Sequence, residues 1–151
     1  MVTHGGIVNV IVGGIKQNDV KRSDEISLAV TSLKRVAHFQ YAQGEVKIDV
    51  HATQHSLTIS SGEIHIQILL DEPGLATRVD SYVEVCRGIE GHSLASFRGD
   101  SYRTQLHNQG AEAISSLCRK LGPDFQTARR LFSLVVALAY SPPLHTLPQR
   151  L

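Results

Sequence analysis

The sequence predicts an α+β fold: a small, mostly antiparallel sheet with one helix after the first strand and two helices at the C-terminal end. Three observations carry this expectation. Between Glu45 and Val85 apolar residues alternate with polar ones, the period of a half-buried strand. After Asn108 they return every three or four positions, the period of an amphipathic helix. Ahead of both, Ile7 to Val12 is β-branched at nearly every position and bracketed by Gly5-Gly6 and Gly13-Gly14, as a short buried strand between turns.

Each element follows from its own residues. The polar stretch Lys16 to Arg22 reads as a loop, after which Ser23 can cap a helix. Asp24 and Glu25 place negative charge in its first turn and Lys34 and Arg35 place positive charge near its end, as the helix dipole favours. Ile26, Val30, Leu33 and Ala37 line one face, with Ala29 and Val36 beside it, and Gly44 closes the segment. Val46, Ile48 and Val50 then alternate with Lys47, Asp49 and His51. Leu57 and Ile59 repeat the pattern, as do Ile64, Ile66 and Ile68, and Ser60-Ser61-Gly62 between them is turn chemistry. Ser56 to Leu70 is therefore a hairpin, which Asp71-Glu72-Pro73-Gly74 terminates. A further strand is expected over Val79 to Val85, and a loop over His92 to Ser101. Asn108 caps a helix whose inner face is Ala111, Ile114, Leu117, Cys118 and Leu121, and Gly122-Pro123 breaks it. Asp124 starts the last helix, with Phe125, Ala128, Leu131, Phe132, Val135, Leu138 and Ala139 apolar. Beyond Leu131 this helix is apolar nearly all round, which implies burial in the fold or against another subunit. Ser141-Pro142-Pro143 stops it. Residues 1–140 thus read as one α+β domain and 141–151 as a proline-rich extended tail.

Composition narrows the functional classes. A chain of 151 residues buries roughly two thirds of its unfolded surface as one domain. With 42% hydrophobic residues and a formal charge of +1, it is globular and carries no global field toward nucleic acid or membrane. The absence of Trp argues against a sugar- or base-stacking site. Cys86 and Cys118 belong to no Cys-x-x-Cys pair and read as reduced, mostly buried thiols. The N-terminus shows no secretory pattern, and the longest apolar run, Leu131 to Tyr140, is about half of what a bilayer span requires. A soluble, non-secreted protein without a transmembrane segment is the expectation.

Candidate sites are few. Gly13-Gly14 is followed by Ile15, Lys16 and Gln17 and not by a helix opening, so it is a turn and not a phosphate loop. His51 shares a strand face with Asp49, and His65 shares one with Glu63 and Gln67; were their strands neighbours, they and His55 would approach a zinc site, although their spacing matches no ligand pattern. His92-Ser93 lacks the glycine-bounded elbow of a hydrolase nucleophile. Arg98-Gly99-Asp100 spells the integrin-binding tripeptide without an export signal to use it. Lys16, Lys21 and Arg22 precede the first helix, and Arg119, Lys120, Arg129 and Arg130 flank the Gly122-Pro123 break. Together these seven cations form a candidate patch for phosphate groups of nucleic acid or an acidic membrane; the alternative is a solvated surface.

Two stretches resemble the matrix proteins of rhabdoviruses. One is the Ile7–Val12 strand, its basic loop and the helix start Arg22-Ser23-Asp24 before Ala29-Val30; the other is Gly62 to Ile68 running into Asp71-Glu72, like that family's Gly-x-Ile-x-Leu strand with an acidic end. The chain departs from that family in lacking a lysine-rich arm and a Pro-Pro-x-Tyr motif; its Tyr140-Ser141-Pro142-Pro143 has another order. The resemblance implies a structural, non-enzymatic protein of the virion and host cytoplasm or nucleus, self-associating and bridging ribonucleoprotein and membrane. It implies no catalytic residues, metal or cofactor and no small-molecule substrate. Its partners would be a second copy, viral nucleocapsid or RNA, and an anionic membrane. The self-association surface is expected on the last helix and tail, at Phe132, Val135, Val136, Tyr140, Pro142 and Pro143. A small RNA-binding regulator acting through the basic clusters is the alternative reading, and an unrecognised small enzyme the third.

Overall fold

A computed structural model describes residues 8–13, 20–91 and 93–139, with side chains placed at all of these except 20–23 and 86–101. Strand β1 (Val8–Gly13) is followed by helix α1 (Val20–Val36), then by β2 (Val46–His51), β3 (Ser56–Ser61) and β4 (Ile64–Leu69). Three helices complete the chain: α2 (Pro73–Gly91), α3 (Ser93–Leu117) and α4 (Phe125–Ala139). The sheet order is β1-β2-β3-β4, with β1 parallel to β2 and the other neighbours antiparallel. A parallel pair needs a crossover connection, and α1 supplies it.

The alternation read from the sequence sets the two faces of the sheet. Val46, Ile48, Val50, Leu57, Ile59, Ile66 and Ile68 are buried in one core with residues of all four helices, whereas Lys47, His65, Gln67 and Leu69 are exposed. Gly62 opens the two-residue β3–β4 loop at a φ of 58°, which a glycine adopts without a Cβ penalty. The last helix begins as expected: Asp124 Oδ1 accepts from the Thr127 amide at 2.8 Å. Thr127 is itself fully buried, and its hydroxyl accepts from the amide of His38 at 2.8 Å, tying the end of α1 to the start of α4.

Four expectations are corrected. Helix α1 starts at Val20 and not at Ser23, because Val20, Lys21 and Arg22 contain no breaker and extend the helix by most of a turn. The segment Val79–Val85 is not a strand but the middle of α2. Leu75 and Val79 are buried and Tyr82 and Val83 pack on the core, a spacing of one helical face. The stretch that ends the hairpin is also a helix start. Glu72 caps α2 by accepting the Leu75 amide on Oε1 at 3.1 Å, and Pro73 sits in the first turn, where its missing N–H costs nothing. Finally, Ser93 to Ser101 is helical, and Asn108 lies inside α3 and caps nothing. Helix packing against α2 outweighs the polar, glycine-containing sequence there.

Cys118 is a free, fully buried thiol, and burial pushes its pKa up to about 12. A Cys86→Ser chain should therefore react with an aromatic disulfide reagent at neutral pH only at the rate of global unfolding. Rapid labelling of the native protein, followed by absorbance, would show that the turn after α3 opens locally.

Candidate functional site

The described residues bring one group of polar side chains into the helical layer, where α2, α3 and α4 meet. His107 on α3 is 6% exposed. Its ring lies 5.3 Å from that of Tyr82 on α2 and 5.6 Å from that of Phe132 on α4, and Tyr82 meets Phe132 edge-on at 5.7 Å. Two residues of α4 one turn apart clamp the imidazole. Arg129 donates to Nδ1 from Nε at 3.2 Å and from Nη2 at 3.0 Å, and Ser133 Oγ lies 3.0 Å from Nε2.

These contacts assign the tautomer. A guanidinium only donates, so Nδ1 carries the lone pair, Nε2 carries the proton, and Ser133 Oγ accepts it. Burial first, and then the positive charges of Arg129, Arg130 and Arg103, lower the pKa of His107 to about 4. The imidazole is therefore neutral at physiological pH. A serine activated for attack must give its proton to the base, and the base must be stabilised as a cation by a carboxylate. Here the serine receives a hydrogen bond, and an arginine stands where the carboxylate would be. Ser133 and His107 do not form a nucleophile–base pair.

Arg130, next to Arg129 on α4, keeps its Nε buried without a hydrogen-bond partner, and Asn108 Oδ1 on α3 is likewise buried and unpartnered. Arg129, Arg130 and Ser133 are half-buried, so solvent reaches the rim of the cluster.

The residues expected from the sequence are scattered by the fold. Arg129 and Arg130 belong to this cluster, but Arg119 and Lys120 lie exposed in the turn after α3. Ten residues of α3, about 15 Å of helix, separate that turn from His107. Lys21 and Arg22 sit in the first turn of α1 with side chains outside the described residues, and Lys16 lies wholly outside them. Of the seven cations, the four with described side chains thus fall in two places, Arg129 and Arg130 at the cluster and Arg119 and Lys120 in the turn after α3. Phe132 and Val135 are fully buried in this chain's own core, and Val136 is half-buried and packs against it. Tyr140, Pro142 and Pro143 lie outside the described residues, as does the whole tail.

The histidines of the sheet are not brought together either. β3 lies between β2 and β4, His51 pairs with Ser56 and His65 with Ser60. Two strand spacings, about 10 Å, and four residues of register, about 13 Å, part the two imidazoles. No group of three metal-ligating side chains occurs among the described residues. Arg98-Gly99-Asp100 falls within α3 with its side chains outside the described residues, as does His92 entirely.

His107, Ser133, Tyr82 and Arg103 were not legible as a group. The only local signal was the polar residue Ser133 within the apolar run from Leu131 onward, four positions after Arg129.

The family model described as "Uncharacterised protein family (UPF0262)" matches residues 8–141. The chain belongs to this family. The UPF0262 protein of the bacterium Hyphomonas neptunium is 41% identical over 63 residues, a stretch that covers 41% of this chain and 38% of that relative's length. No solved structure matches the chain.

Membership of UPF0262 overturns the resemblance to rhabdovirus matrix proteins and the functions drawn from it, both the matrix role in a virion and the RNA-binding alternative. The two stretches behind that resemblance also have another structural meaning. Arg22-Ser23-Asp24 lies inside α1 and does not open it, and Glu72 of the acidic pair caps α2. Among the described residues of this UPF0262 chain, no helix is long and apolar enough to cross a membrane.

Proposed function

We propose that this UPF0262 protein is a non-enzymatic interaction protein that acts as a self-associated assembly, joined through the outer edge of β1. The polarity of the His107 cluster supports the non-enzymatic reading, because its imidazole is locked as a neutral donor.

The observation that carries the reading is β1 itself. Among the described residues it is an edge strand of six residues, Val-Asn-Val-Ile-Val-Gly, with no charge and no proline, and Ile11 and Val12 are 47% and 37% exposed. Edge strands of monomers are normally blunted by lysine, proline or a bulge, since their free N–H and C=O groups template another strand. A second copy is the partner that this edge fits. An uncharged strand can lie antiparallel to itself across a two-fold axis without opposing like charges, and the two sheets then become one. The opposite edge, β4, presents His65 and Gln67 with Leu69 and is the poorer template.

Sedimentation at rising concentration should show a monomer–dimer equilibrium. Ile11→Lys should shift it to monomer, because pairing would bring like charges side by side on the outer face of the joined sheet, while Leu69→Lys at the other edge should leave it unchanged. Wild-type chain that stays monomeric throughout, or an Ile11→Lys variant that dimerises as well as wild type, removes the reading.

A further inference from the structure

The polar cluster of α3 and α4 ends in donors. Arg129 donates to His107, and His107 donates to Ser133. The Ser133 hydroxyl has thus used an oxygen lone pair, and its own hydrogen is left to donate. One turn earlier on the same face of α4, the buried Nε–H of Arg130 also has no acceptor. The charge of these groups is uncompensated as well. Arg129 is bonded to a neutral ring, and Arg130 Nε has no hydrogen-bond partner. Arg103, one turn before His107 on α3, adds a third positive charge to the field at the imidazole. Orphaned donors beside unpaired guanidinium groups are the mark of a site that takes an acceptor-rich anion.

We propose that Arg129, Arg130 and Ser133 form a binding site for a single oxyanion group of the phosphate type, presented by a small molecule. An oxyanion accepts from the Arg130 guanidinium and the Ser133 hydroxyl together, and it neutralises the charge that His107 leaves standing. Holding the ring neutral has a purpose in this arrangement: His107 fixes Arg129 and Ser133 from behind and takes no place at the ligand. The site's donors, the Arg130 guanidinium and the Ser133 hydroxyl, are enough for one such group, while Arg119 and Lys120 lie in the turn beyond α3. This inference is independent of whether β1 pairs with a second copy.

The test is calorimetric titration of the full chain with inorganic phosphate at constant ionic strength and neutral pH. Saturable binding that Arg130→Gln weakens by about tenfold or more, and that Arg119→Gln leaves unchanged, is the expected result. Phosphate should also move the imidazole resonances of His107 in the wild-type chain along a saturating curve, which keeps the test valid should Arg130→Gln fold poorly. Tighter binding of glycerol phosphate than of inorganic phosphate assigns the group to a phosphate ester, and the reverse order assigns it to free phosphate. Heats that match potassium chloride at equal ionic strength, equal binding by wild type and Arg130→Gln, or unmoved His107 resonances overturn the proposal.

Discussion

Acidification from pH 6.5 to pH 4 should cost the native state up to about 3 kcal/mol through His107 alone. In the unfolded chain this imidazole titrates at 6.5; in the fold, burial first and then Arg129, Arg130 and Arg103 hold it to about 4. Between those values the unfolded state binds a proton that the native state refuses, so stability rises with pH across the window. The contribution is complete above pH 6.5 and gone below pH 4. Other groups titrate in the same range, so the informative quantity is a difference. Urea unfolding of wild type and His107→Gln at a series of pH values isolates it, because the amide offers a donor and an acceptor and carries no proton equilibrium. Wild type should lose its advantage over the variant as pH falls, by about 1.4 kcal/mol per unit at the steepest. Parallel stability curves for the two chains would show that the imidazole is not held neutral.

Gly110→Ala should be destabilising by about 1–3 kcal/mol, against the sign expected for a glycine inside a helix. In an exposed helix the change would stabilise by about 1 kcal/mol, since glycine has more backbone freedom to lose. Here a Cβ on Gly110 would come within 3.0 Å of ring carbons of the fully buried Phe132 on α4, closer than real Cβ contacts come. The two helices must separate or the ring must turn, and the same ring borders His107 and Tyr82. Phe132→Leu makes room at the contact, so the double variant should be more stable than the sum of the two single losses predicts. Urea midpoints of the four chains decide it. A Gly110→Ala chain more stable than wild type would show that α3 and α4 do not approach at this residue.

Much of the fold was legible because it depends on neighbours in sequence. Period-two alternation marked β2, β3 and β4 and their buried face, and Asp124 was recognisable as the cap of α4. Helix α2 was misread because Val79, Val83 and Val85 fit a period of two, while Val79 and Val83 are also one helical turn apart and the Glu72-Pro73 start signal favours the helix. The apolar girdle of α4 was visible, but its residues cannot say what covers it: burial in the fold or against another subunit was expected, and α1, α3 and α2 pack on it within the chain.

By itself the sequence determined the sheet with its inner face, the existence of α1 and α4, and the absence of a strong global charge, since periodicity, capping and composition are properties of short stretches or of simple sums. Only the tertiary structure decided that β1 is an edge, that α4 is internal, and that His107 lies between Arg129 and Ser133. Those outcomes depend on strand order and on the register of α3 against α4. Both are fixed by packing between segments far apart in the chain, of which neither segment carries a record alone.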